Sequence, residues 1–91
     1  MKELAKQFKK RGFDYTQVEA NQYGYIYSFW DGHITRYEAF ERKENTQFDC
    51  ISFPGDEAFG TWAYACPTLE TAQHKLKQIE KRVKNRINEQ H

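Results

Sequence analysis

His33 stands two residues after Asp31, and Asp49, Asp56 and Glu57 follow it along the chain. A histidine held by a carboxylate can act as a general base. That role needs a nucleophile to work on, and none is placed to pair with His33. Asp31-Gly32 is also the strongest hairpin signal in the sequence, so a two-residue type I′ turn is the simpler use of these residues. Cys50 and Cys66 are 16 residues apart with no histidine at metal-ligand spacing, so no zinc site is expected. Both are flanked by apolar residues and read as buried, reduced thiols of a cytoplasmic protein. Phe59-Gly60-Thr61 falls inside a strand pattern, so no glycine-rich loop leads into a helix to cradle a phosphate. The expectation is a binding protein with no chemistry and no cofactor of its own.

The net charge of +1 conceals a segregation. Residues 1–13 carry five cations against one carboxylate, and residues 74–91 six against two, so each end is +4. Residues 14–73 carry three cations against ten carboxylates, a charge of −7. Such a layout speaks to partners rather than to fold. If both ends are helices, Lys6, Lys9, Lys10 and Arg11 join Lys77, Lys81, Arg82 and Lys84 in one basic layer able to neutralise nucleic-acid phosphates. The same lysines also suit the ordinary solvated face of an amphipathic helix.

The apolar residues are unusual in kind. There are 15 aromatics against ten Leu, Ile and Val, and 14 of the aromatics lie between Phe13 and Tyr64. Rings of this size let a small domain build a core from few side chains, so stability is expected to rest on them, with Trp30 and Trp62 as test positions. Tyr23, Tyr25, Tyr27 and Phe29 alternate onto one face of a strand, with Gly24, Ile26, Ser28 and Trp30 on the other. The tyrosine face is either the core or an open acidic, aromatic surface for a protein partner; periodicity does not say which face is covered.

The elements that must position these residues follow from the pattern. Leu4, Ala5 and Phe8 make one apolar stripe, so residues 1–12 are read as a short helix with Gly12 as its left-handed cap. Residues 13–66 alternate with period two between turn signals at Asn21-Gln22, Asp31-Gly32, Glu44-Asn45 and Pro54-Gly55-Asp56, an antiparallel meander of three to five strands. Thr68 is placed to cap a long helix over 68–90, whose stripe is Leu69, Ala72, Leu76, Ile79, Val83 and Ile87. The fold class is α+β: one domain, residues 1–91, a two-layer sandwich with both helices on one face of the sheet. The long helix should overhang the sheet by one or two turns. Val83 and Ile87 would then meet the first helix, a protein partner, or a second copy of the chain in a homodimer with Ile79. No apolar run nears the roughly 18 residues of a membrane span, and the N-terminus lacks the apolar stretch of a signal peptide.

The order helix, three strands, helix resembles that of double-stranded-RNA-binding domains. Gly32-His33-Ile34-Thr35-Arg36-Tyr37 is similar to their first hairpin, and Thr68-Leu69-Glu70-Thr71-Ala72 to their last helix start. Thr68 and Leu69 stand where those domains place lysines, so their activity is not carried over. Tyr37-Glu38-Ala39-Phe40-Glu41-Arg42-Lys43, Phe48-Asp49-Cys50-Ile51-Ser52-Phe53-Pro54 and Ala58-Phe59-Gly60-Thr61-Trp62-Ala63 together resemble small uncharacterised proteins of bacterial phages and mobile elements, over about a third of the chain. That resemblance implies a host-interaction or inhibitor protein. Two readings of function therefore stand side by side: contact with nucleic acid or a nucleoprotein through the basic layer, and protein binding through the aromatic sheet face or the C-terminal helix.

Overall fold

A computed structural model describes residues 1–89. The chain runs β1 (Gln7–Lys10), β2 (Phe13–Ala20), β3 (Gly24–Trp30), β4 (Thr35–Glu41), β5 (Glu44–Asn45), β6 (Cys50–Ile51), a 3-10 turn (Asp56–Ala58), β7 (Ala63–Cys66) and α1 (Leu69–Glu89). Five strands form one antiparallel sheet in the order β1-β2-β3-β4-β7, while β5 and β6 pair separately as a small hairpin. The architecture is α+β, with one long C-terminal helix. The expected helix end at residue 90 lies outside the described residues.

The expected N-terminal helix is absent. Residues 7–10 are a strand, turned back onto β2 by Arg11 and Gly12. Both turn residues have positive φ, 55° and 81°, the requirement of a two-residue type I′ hairpin. The glycine read as a helix cap is therefore a hairpin residue. The reason lies in Phe8. As a strand residue it stacks on Tyr15 at 5.2 Å and meets Tyr27 at 5.3 Å and Phe53 at 4.8 Å edge-on. This ring packing outweighs a three-residue helical stripe, since local propensity is a weak prior against tertiary burial.

Both faces of the sheet are covered, which corrects the expectation of one open face. Helix α1 buries Ala72, Leu76 and Ile79 on the face of Ile26, Ala39 and Cys66. Gly24 makes this close approach attainable: a Cβ there would sit 2.4 Å from the Phe40 carbonyl oxygen and 2.9 Å from Leu76 Cδ1. The opposite face holds Phe8, Tyr15, Tyr25, Tyr27, Phe40 and Ala63 under Leu4, Ile51, Phe53 and Ala58. Residues 42–62, expected to continue the meander, instead fold across that face. Phe53 is the pivot, within 6 Å of the rings of Phe8, Tyr15, Tyr27 and Phe40. The N-terminal segment is tied down by polar bonds: Tyr27 Oη donates to the Ala5 carbonyl at 2.6 Å, and Tyr25 Oη to Glu3 at 2.9 Å. Arg42 completes that network, donating to both Glu3 and Tyr25 Oη at 2.8 Å.

The helix stays on the sheet further than its length suggested. Thr68 caps it, accepting the Thr71 N–H at 3.1 Å. Near the other end, Lys84 lies 5.5 Å from the Tyr23 ring and Arg86 Nη2 is 3.0 Å from Glu41 Oε1. Val83 is half-buried, and Ile87 is exposed past these ties. Ile79 is fully buried within the chain's own core, so the homodimer seam expected through Ile79, Val83 and Ile87 is not free as drawn.

Candidate functional site at the hairpin end

The β3–β4 hairpin is built by Asp31. Its carboxylate accepts the N–H groups of His33 at 2.8 Å and Ile34 at 2.9 Å, and its second oxygen pairs with Arg36 Nε. These donors hold the carboxyl far below the ordinary aspartate range: the Ile34 N–H first, then Arg36 and the His33 N–H. Gly32 takes φ 102° between them. The loop is thus four residues, Asp31–Ile34, with strand pairing resuming at Trp30 and Thr35, rather than the expected two-residue turn. Asp31 is committed to the turn and does not orient the exposed His33. Asp49 lies 3.8 Å from the terminal ammonium, and Asp56 pairs with Arg11 at 2.8 Å, so these carboxylates hold other parts of the fold.

This rigid tip presents apolar surface. Trp30 is 59% exposed and Ile34 48% exposed. On the opposite, aromatic face of the sheet, Phe13 and Phe29 are half-buried, their ring centres 5.3 Å apart. A groove of about 160 Å³ opens against Phe29, lined by Arg36, Glu38, Ala65 and Pro67 among others. Phe29, Glu38 and Ala65 bring it onto the aromatic face, and none of its lining comes from residues 42–62.

Glu38 is the unusual member of this groove. It lies in phase with Phe40 on β4 and is only 6% exposed. Tyr15 Oη donates to its Oε1 at 3.3 Å, while Oε2 has no hydrogen-bond partner among the described residues. Burial pushes the Glu38 carboxyl above its ordinary value, against the opposing pull of Tyr15, Arg11 and Lys10. Tyr15 is pushed up to about 12, by burial first and then by the Glu38 charge. A carboxyl whose folded value is raised contributes stability that is full below about pH 4.5 and is lost as pH rises through the folded value. Glu38→Gln keeps an acceptor for Tyr15 and removes the buried charge. It is expected to be more stable than wild type at pH 8 by about 1–3 kcal/mol, with the difference shrinking on acidification below pH 4.5. Urea denaturation of both proteins at pH 4 and pH 8 measures this; a variant less stable at pH 8 contradicts it.

The residues read from the sequence as sites scatter. Tyr25 and Tyr27 are buried core residues, not surface. Burial first, then the Glu3 bond, pushes Tyr25 up to about 12. Tyr23 is half-buried beside Lys84, and only Phe29 of that quartet reaches the groove. The basic layer does not assemble. Lys6, Lys9, Lys10 and Arg11 belong to the β1–β2 hairpin at one edge of the sheet, whereas α1 packs on β3, β4 and β7. Many of the cations are engaged within the chain. Lys10 rests on Phe53 at 4.3 Å, Arg82 donates to Tyr64 Oη at 3.0 Å, and Lys84 pairs with Glu80 at 3.2 Å. Among the described residues, Lys6, Lys9, Lys77 and Lys81 make no ion pair. The two cysteines are unlinked, Cys66 buried and Cys50 half-buried. Among the described residues, no three His, Cys, Asp or Glu side chains come together to hold a metal, and no helix is long and apolar enough to cross a membrane.

Sequence reasoning passed over Glu38, Tyr15 and Arg36. The available signal was period-two phase: Glu38 shares a strand face with Phe40, and a carboxylate in phase with a core ring marks either a buried charge or an uncovered patch. No family model matches the chain, and no curated protein or solved structure matches it.

Proposed function

We propose that this chain is a small protein-binding module that engages its partner at the hairpin end of the sheet. The observation that carries this is Trp30, 59% exposed on a tip held rigid by Asp31. A large ring in water with Ile34 in the same loop, at the end of the sheet whose opposite face carries the groove walled by Phe29, has the composition of an interface anchor. Rigidity matters because a preorganised loop loses little entropy on binding. The partner is a protein segment with apolar side chains for Trp30 and Ile34. Nucleic acid is the weaker reading, because the cations are dispersed over separate elements and several are engaged within the chain.

Affinity capture from native lysate, with and without nuclease, tests this against two variants. Trp30→Ala/Ile34→Ala is expected to keep its stability to within about 0.5 kcal/mol, since both side chains lie largely in solvent. It should weaken a nuclease-resistant protein interaction by at least about 30-fold, the effect of a central anchor. Lys77→Glu/Lys81→Glu should leave that interaction intact. Capture that vanishes with nuclease, and with the lysine reversal but not the tip variant, overturns the proposal in favour of nucleic acid.

A further inference from the structure

We infer that the groove beside Phe29 is a recognition pocket for a cationic side chain, with Glu38 as its acceptor. This rests on the protein-binding reading and names what the partner places in the groove: an arginine or lysine that reaches the aromatic face while other residues of the partner meet Trp30 and Ile34 at the hairpin end. Three observations support it. First, Glu38 lines the groove and is 6% exposed, and its Oε2, closed off behind that lining, has no hydrogen-bond partner among the described residues. A buried carboxylate oxygen left without a donor is costly, and its usual remedy is a cation with N–H groups.

Second, the resident cations near this carboxylate have other commitments. Lys10 donates to the Pro54 carbonyl at 3.4 Å and lies over the Phe53 ring. Arg11 pairs with Asp56 at 2.8 Å, and Arg36 with Asp31. Among the described residues, the one group hydrogen-bonded to the Glu38 carboxylate is the Tyr15 hydroxyl, which serves Oε1. Oε2 is therefore left without a resident cation among the described residues.

Third, the walls suit an alkyl stem. Phe29, Ala65 and Pro67 give the groove an apolar lining, and its volume of about 160 Å³ matches one side chain rather than a larger ligand. Phe29 adds a ring against which a guanidinium or ammonium can lie. A flexible charged side chain buries its methylenes along such a surface and brings its charged head to the carboxylate.

The test uses N-acetyl-arginine amide and butylguanidinium as probes, with N-acetyl-norleucine amide as the uncharged control, followed by amide chemical shifts of the full chain at pH 7.5. Both cationic probes should produce saturable shifts centred on Phe29, Glu38 and Ala65, with a dissociation constant on the order of a millimolar for so small a ligand. Glu38→Gln keeps the shape of the groove and should abolish the saturable shifts, while the neutral control should give none in either protein. Trp30→Ala should leave the probe shifts unchanged even where it abolishes partner capture, so failure of the pocket and failure of the interface are read separately. Shifts absent in the wild type, or equal in wild type and Glu38→Gln, overturn the inference and leave solvent or Lys10 as the partner of Oε2.

Discussion

Phe40→Ala should lose about 3–5 kcal/mol of stability, the usual cost of emptying a buried aromatic site. Phe40 has no exposed surface, and its ring lies 5.4 Å from Tyr25, 5.8 Å from Tyr27, 5.3 Å from Phe53 and 6.4 Å from Trp62. Those neighbours come from β3 and from the segment that crosses the sheet. Removing the ring therefore unseats the crossing segment as well as opening a cavity. A chain of 91 residues has a total stability on the order of 5–14 kcal/mol, so the variant should be largely unfolded in mild urea. Phe40→Leu, which refills part of the volume, should lose less than half as much. Urea midpoints followed by far-UV circular dichroism decide it; a Phe40→Ala midpoint equivalent to less than about 1 kcal/mol would show that the rings do not form one cooperative core.

The contrast between the two tryptophans shows what alternation can and cannot reveal. Both stand in strand-like patterns, and the sequence offers no reason to separate them. Trp62 packs its edge on Phe40 from the segment after the 3-10 turn, with Lys43 over its ring at 5.4 Å. Trp30 follows Phe29 at the end of β3, on the face that α1 covers only in part, and stays in solvent. Periodicity was legible for β3, β4 and α1 because their patterns are long. β1 was not, because four residues carry too little periodicity to oppose a helical stripe, and the Arg11-Gly12 turn uses the same residue type that ends helices. The crossing of residues 42–62 was also invisible: it depends on Phe53 finding four rings from β1, β2, β3 and β4, a tertiary event with no local signature. The candidate site was legible only in Phe29. Glu38 needed the knowledge of which face is covered and where the cover stops.

Arg86→Ala is expected to destabilise the chain by about 2–3 kcal/mol at pH 7, through the carboxylate it leaves behind. Glu41 is a buried residue at the end of β4, and Arg86 from α1 holds both of its oxygens, at 3.0 and 3.3 Å. Lys43 adds a contact at 3.5 Å. Burial alone would raise the Glu41 carboxyl, but the Arg86 hydrogen bonds and charge, with Lys43, outweigh it and hold the group below its ordinary value. Stripping one partner from a buried pair costs roughly 3–5 kcal/mol; the guanidinium here is half-exposed and Lys43 remains, which brings the expected loss toward the lower figure. The sign with pH follows from the lowered value. Glu41 contributes stability that is present above about pH 4.5 and is lost as pH falls through its folded value, so the gap between wild type and Arg86→Ala should narrow in acid. This is the opposite of the Glu38→Gln comparison, where wild type is the less stable protein at high pH. The double variant Glu41→Leu/Arg86→Leu, which removes the charge and its partner together, should recover most of the loss. Urea titrations at pH 4 and pH 7 distinguish the cases. A constant gap at both pH values would mean that Arg86 acts through its packing against the sheet, and the ion pair would then not be what fastens this end of α1.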